Sequence, residues 1–196
     1  DLLKSSFLQA EWRYIAMLNY EVDPKVLLQY LPTGTELDYW GRRTFVSIVA
    51  FLFKDTKVRG LAIPFHRNFE EVNLRFYVRR RSNDGWRRAV VFIKEIVPRW
   101  AIAFAARSFY NEQYIALPMK HTIQHEPSTP PSVTYSWKFL GKHHNFQMTT
   151  KGDLQPLKEN SEEEFIAEHY WGYTSQRDRT TMEYEVRHPK WSIWSS

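Results

Sequence analysis

The chain has 196 residues, with 27 Lys and Arg against 22 Asp and Glu, and no cysteine. That length suffices for one domain with a sizeable core, and 43% hydrophobic with 25% charged content argues against disorder. The lack of cysteine excludes disulfides, thiolate metal sites and cysteine nucleophiles, and fits a reducing cytoplasm. No apolar run approaches the roughly 20 residues that span a bilayer, and the N-terminus shows no signal-peptide pattern, so no membrane partner is expected. The net charge of +5 permits an anionic ligand or nucleic acid without requiring either.

In chain order, the pattern predicts a strand over 11–20. Asp23-Pro24 then opens a short helix over 24–31, with Asp as N-cap and Pro in the first turn. Its apolar face is Val26, Leu27, Leu28 and Leu31, and Pro32-Thr33-Gly34 ends it. Residues 44–53 are apolar and partly β-branched, so they read as a buried strand. Residues 71–81 alternate as a half-buried strand should. Ser82-Asn83-Asp84-Gly85 is a hairpin turn, and 86–97 returns antiparallel. After Pro98-Arg99, residues 100–109 read as another strand. Further strands are expected at 132–140, 143–150 and 181–187. Ser161 and Glu164 form a capping box ahead of a helix near 162–169.

The sum is an α+β fold, mostly antiparallel β with a few short helices. It is read as a single domain over 1–196, because neither repeats nor low-complexity linkers interrupt it. A sheet with so many strands tends to curl or close into a barrel, which removes exposed edges.

A symmetric 82–85 turn pairs Asn73 with Lys94, Arg75 with Phe92 and Tyr77 with Val90. Side chains alternate along a strand, so Asn73, Arg75, Tyr77 and Lys94 share one sheet face. The same register brings Ala101, Ala103, Ala105 and Arg107 onto it. Small residues leave space there, and the mostly cationic groups around it suit a carboxylate or phosphate. Glu71 is the nearest acid that would neutralise Arg75. The plain alternative is a solvated face, and a one-residue slip would exchange Lys94 for Glu95.

Other constellations carry less. Arg79-Arg80-Arg81, Arg87-Arg88 and Trp86 flank the hairpin and would suit phosphates and a stacked base. A solvated hairpin tip explains them as well, and the absence of any nucleic-acid-binding motif disfavours a nucleic-acid partner. His121 and His125 are four residues apart in an extended segment, about 13 Å, too far to share one ion. His143 and His144 complete no zinc pattern, so no metal is assigned. No Gly-rich phosphate loop and no Gly-x-Ser-x-Gly elbow is present, and no cofactor is assigned.

Three features carry a resemblance along the chain. They are Leu28-Gln29-Tyr30-Leu31-Pro32-Thr33-Gly34-Thr35-Glu36-Leu37-Asp38, Glu71-Val72-Asn73-Leu74-Arg75-Phe76-Tyr77-Val78, and the pair Glu168-His169-Tyr170-Trp171-Gly172-Tyr173 with Val186-Arg187-His188-Pro189-Lys190-Trp191. Through these the chain resembles the bacterial YqjF-like family, itself similar to acetoacetate decarboxylase. The resemblance implies a curled, cone-like antiparallel sheet around a cavity. The decarboxylase forms a Schiff base through a lysine in a Pro-Lys-Lys run, with a second cation lowering that lysine's pKa. The similar segment here is Ala116-Leu117-Pro118-Met119-Lys120, so Met119 takes the nucleophile's place and only Lys120 is kept. Arg13 falls about where the decarboxylase has a pocket arginine.

These observations lead to a barrel that binds a small organic anion through Arg13, Asn73, Arg75, Tyr77, Lys94, Arg107 and Lys120. One alternative is a Schiff-base decarboxylase or related lyase acting on a keto acid through Lys94 or Lys120. The other is a phosphate or nucleic-acid surface binder using the arginine-rich hairpin.

Overall fold

The computed structural model describes residues 8–58, 61–62, 67–98, 114–176, 178–186, 188 and 190–195. Its regular structure is mostly β. In chain order the strands are β1 (Leu8–Val22), β2 (Glu36–Leu37), β3 (Thr44–Val58), β4 (Leu61–Ala62), β5 (Phe69–Ser82), β6 (Gly85–Val97) and β7 (Tyr114–Ala116). They continue with β8 (Met119–Gln124), β9 (Ser132–Phe139), β10 (Lys142–Thr149), β11 (Lys151–Pro156), β12 (Trp171–Ser175), β13 (Thr181–Glu185) and β14 (Ser192–Ser195). Helix α1 (Pro24–Leu27) runs into a 3-10 turn at Leu28–Tyr30, and α2 spans Glu162–Ala167.

The expected elements form with adjusted ends, and the strands at 44–58 and 8–22 are longer than the pattern suggested. The expected strand at 100–109 lies outside the described residues.

The largest sheet follows the order β1-β3-β5-β6-β12-β13, with β2 on β5, β4 on β3 and β7 on β6. Among the described residues this is an open path, not a closed ring. Strands β8, β9 and β10 form a second sheet, and β11 pairs with β14. One departure from a simple meander is β6, which pairs in parallel with both β7 and β12. Hydrophobic alternation marks which face of a strand is buried, but it carries no sign of strand direction.

The chain forms two compact units. The first comprises Asp1–Met17, Val49–Asn73 and Lys94–Thr149. Its core is Val49, Phe51, Phe53, Phe69 and Val97, against which Trp12, Ile15, Met17 and Tyr114 pack. The Phe53 and Phe69 rings lie 4.7 Å apart. Tyr135 is fully buried, and its hydroxyl donates to the Tyr14 carbonyl at 2.7 Å. That bond satisfies the one polar group of an otherwise apolar burial.

The second unit comprises Leu18–Ile48, Leu74–Ile93 and Thr150–Ser196. Its core is Leu27, Leu37, Phe76, Val78, Ala89, Val91 and Tyr173. Fully burying each large apolar side chain contributes about 1.5–3 kcal/mol. Phe76 and Val78 face this core from alternate positions of β5, which leaves Arg75 and Tyr77 for the opposite face.

Both helix starts form as their residues dictate. Asp23 Oδ1 accepts the Lys25 amide at 2.9 Å, and Ser161 Oγ accepts the Glu164 amide at 3.1 Å. Glu164 reaches back to the Asn160 amide, 2.7 Å away. Strand β12 carries Gly172 opposite Tyr184 of β13. A Cβ there would lie 2.1 Å from the Tyr184 ring, so only glycine lets that ring cross the strand.

Candidate functional site

The second unit gathers a group of buried polar side chains that share contacts. Leu37 is anchored in the core, and the next residue, Asp38, is turned onto a polar cluster. Its Oδ2 accepts from Arg88 Nε at 2.6 Å and from His169 Nε2 at 3.2 Å. A carboxylate only accepts, so His169 must carry its proton on Nε2. Arg88 Nη2, 3.3 Å from that same nitrogen, is also a donor and forms no hydrogen bond with it. It donates instead to the Phe165 carbonyl at 3.2 Å. That carbonyl lies in α2, so the helix helps to fix the arginine.

Burial pushes the His169 imidazolium down to a pKa of about 4; the Asp38 hydrogen bond opposes this, and the charges of Arg88 and Arg75 add to it. His169 is therefore neutral at pH 7. Burial alone would raise the Asp38 carboxyl, but the hydrogen bonds from His169 and Arg88 outweigh it and hold the group below the usual range. Asp38 and Arg88 thus form a charge-compensated pair, and His169 Nδ1 is left as a buried acceptor without a partner among the described residues.

Tyr77 connects this cluster to the face of β5. Its ring lies 4.7 Å from the His169 ring and 5.9 Å from that of Phe165. Ser47 Oγ donates its only proton to Asn19 Oδ1 at 2.6 Å, so the Tyr77 hydroxyl must donate to Ser47 across another 2.6 Å. Arg75 lies over the Tyr77 ring, its guanidinium carbon 5.7 Å from the centroid. Unlike Arg79, Arg87 and Arg88, which reach Glu36, Glu183 and Asp38, Arg75 has no carboxylate partner among the described residues. It is half-buried, and its Nε is closed off from solvent with no acceptor among the described residues. An uncompensated guanidinium held partly out of water favours an anion.

The remaining expected site residues fall as follows. Asn73, in the first unit, is buried and donates to Glu71 Oε1 at 2.9 Å, while its own Oδ1 has no partner among the described residues. Lys94 is half-buried, with Glu95 beside it buried. Arg13 is exposed and paired with Glu11 at 2.7 Å. Lys120 is exposed on β8. Arg107, Ala101, Ala103 and Ala105 lie outside the described residues. Asp38, Arg88 and His169 were not singled out as a group by sequence reasoning. They are 50 and 131 residues apart from Asp38, and no spacing motif links them.

The first unit contains a cleft of about 280 Å³ lined by Leu52, Phe53, Lys54, Asn68, Phe69, Glu70, Pro98, Met119 and His121. His121 Nδ1 lies 2.6 Å from Glu70 Oε1. No sequence spacing points to this pair, whose members are 51 residues apart. On the arginine-rich hairpin, Arg79 and Arg81 flank the ring of Trp86, and Arg79, Arg87 and Arg88 are spent on the carboxylates named above.

The fold is that of acetoacetate decarboxylase-like proteins. The acetoacetate decarboxylase of Legionella pneumophila superposes with a TM-score of 0.58 at 15% identity, covering 91% of this chain and 64% of that one. The enduracididine biosynthesis enzyme MppR complexed with pyruvate superposes at 0.60 and 11% identity, covering 90% of this chain and 63% of that one. An acetoacetate decarboxylase-like enzyme from Sphingomonas wittichii superposes at 0.54 and 11% identity, covering 86% and 67%. The chain therefore spans less than two thirds of the first two structures. At these identities the likeness defines the fold alone.

Within that fold the chain belongs to the DUF2071 family, described as an uncharacterized conserved protein, whose model matches residues 9–196. It is also similar to the uncharacterized protein YqjF of Bacillus subtilis, with 24% identity over 186 residues, 93% of this chain and 73% of that protein.

Proposed function

We propose that this chain binds a small organic acid, with Arg75 as the anchor for its carboxylate and the Tyr77 ring as the wall beside it. The observation that carries this reading is the guanidinium of Arg75, half-buried with no acidic partner among the described residues. Keeping such a group from full hydration carries a desolvation cost that an anion would offset. The Asp38–Arg88 pair neutralises itself, so it does not compete for that anion. The pyruvate complex of MppR is of one protein of this fold with a small keto acid, which supports the reading.

Schiff-base chemistry is the weaker reading. The position that resembles the decarboxylase nucleophile is Met119, whose thioether forms no imine. Its neighbour Lys120 is exposed.

The test is calorimetric titration of pyruvate, acetate, acetoacetate and inorganic phosphate into wild type and Arg75→Met. Charge-assisted hydrogen bonds of about 1.5–3 kcal/mol imply a tenfold or larger loss of carboxylate affinity in the variant. Binding that the substitution leaves unchanged, or no binding by any of these anions, rejects the assignment.

A further inference from the structure

The cleft in the first unit is separate in composition from the Arg75 face, and its lining specifies a different ligand. Five of its nine residues are apolar, and two of these, Phe53 and Phe69, form the ring pair described above. Aromatic rings and a thioether such as that of Met119 favour an aromatic guest. The charged residues of the lining are Lys54 and Glu70, one of each sign, so the cleft has no net attraction for an ion.

The polar end is set by His121. Glu70 is an acceptor, and the 2.6 Å contact therefore places the proton of a neutral His121 on Nδ1. In the neutral tautomer the Nε2 lone pair is then left to accept from a ligand O–H or N–H. Lys54, which has no carboxylate partner among the described residues, supplies donors to the same cleft. A hydroxyl can satisfy both groups at once, donating its proton to imidazole and accepting from ammonium.

We propose that this cleft is a binding site for a small, uncharged aromatic molecule bearing a hydroxyl, a phenol or aromatic alcohol, with the ring against Phe53, Phe69 and Met119 and the hydroxyl on His121. The site is independent of Arg75. Its volume lies near the lower end of small-molecule pockets, which matches one ring rather than a larger ligand.

Phenol, toluene and benzoate, titrated against the full chain by ligand-observed NMR, separate the possibilities. Phenol binds about fivefold to tenfold more tightly than toluene, the worth of one added hydrogen bond, and more tightly than benzoate. His121→Phe erases the preference for phenol while toluene still binds, which also shows that the variant is folded. Arg75→Met leaves phenol binding unchanged, so this site and the proposed organic-acid site succeed or fail separately. Equal binding of phenol and toluene, tighter binding of benzoate, or no saturable binding of phenol overturns the proposal. The wild-type comparison alone decides it should His121→Phe fail to fold.

Discussion

His169 and Asp38 are 131 residues apart in sequence, yet His169 Nε2 donates to Asp38 Oδ2 across 3.2 Å in the buried part of the second unit. The bond holds a neutral imidazole and an ionised carboxylate side by side. Protonating that imidazole would place a second cation next to Arg88.

The first prediction is a loss of stability on mild acidification. The folded-state pKa of His169 is near 4, whereas the unfolded value is about 6.5. Below pH 6.5 the unfolded chain therefore binds more protons than the folded chain, and stability falls as pH falls. The loss approaches about 3 kcal/mol once pH has dropped through 4. Urea denaturation at pH 7, 5.5 and 4.5 measures it. In His169→Leu the drop across this window is smaller by most of that amount. An equal slope in both proteins would show that His169 does not titrate abnormally.

The Asp38–Arg88 pair gives the second. Asp38→Ala leaves Arg88 without its carboxylate and His169 without its acceptor, and costs about 3 kcal/mol. Arg88→Met leaves the buried Asp38 carboxylate without its cation and costs a similar amount. A double-mutant cycle in urea returns a coupling energy above ~1 kcal/mol. Simple additivity would mean that the pair is held in place by other contacts.

Gly172 provides a test of packing alone. Gly172→Ala forces the Tyr184 ring, 2.1 Å from the new methyl carbon, away from β12. Overpacking of this kind costs about 1–3 kcal/mol. Gly172→Ala combined with Tyr184→Ala recovers part of the loss, as thermal denaturation of the four proteins can show.

Met119 is the subject of the last. Mixing the protein with acetoacetate and borohydride leaves its intact mass unchanged, because the residue at the position resembling the nucleophile has no amine. A reduced adduct mapped to Lys94 or Lys120 would promote the Schiff-base reading over simple binding.

Local chemistry was legible in the sequence wherever a residue acts on its near neighbours. Asp23 and Ser161 cap helices through amides two and three residues ahead, and β5 and β6 are joined through the Asn83-Asp84 turn. The alternation of β5 likewise separated Phe76 and Val78 from Arg75 and Tyr77. Met119, too, was recognisable in its segment as a residue that forms no imine.

The candidate sites depended on pairings that no local pattern encodes. The parallel pairing of Trp171 with Ala89 joins two distant stretches of the second unit, and the side-chain contacts of Asp38, Arg88 and His169 bring together three. His121 meets Glu70 across 51 residues. The sequence pattern groups Arg75 with Asn73 and Tyr77 and sets Arg79 and Arg88 with the hairpin, but nothing local tells that Arg79 and Arg88 have carboxylates while Arg75 has none among the described residues. Capping, turns and alternation are short-range and follow from residue type. Which charge is compensated and which is left over depends on long-range packing, and only the tertiary structure decided it.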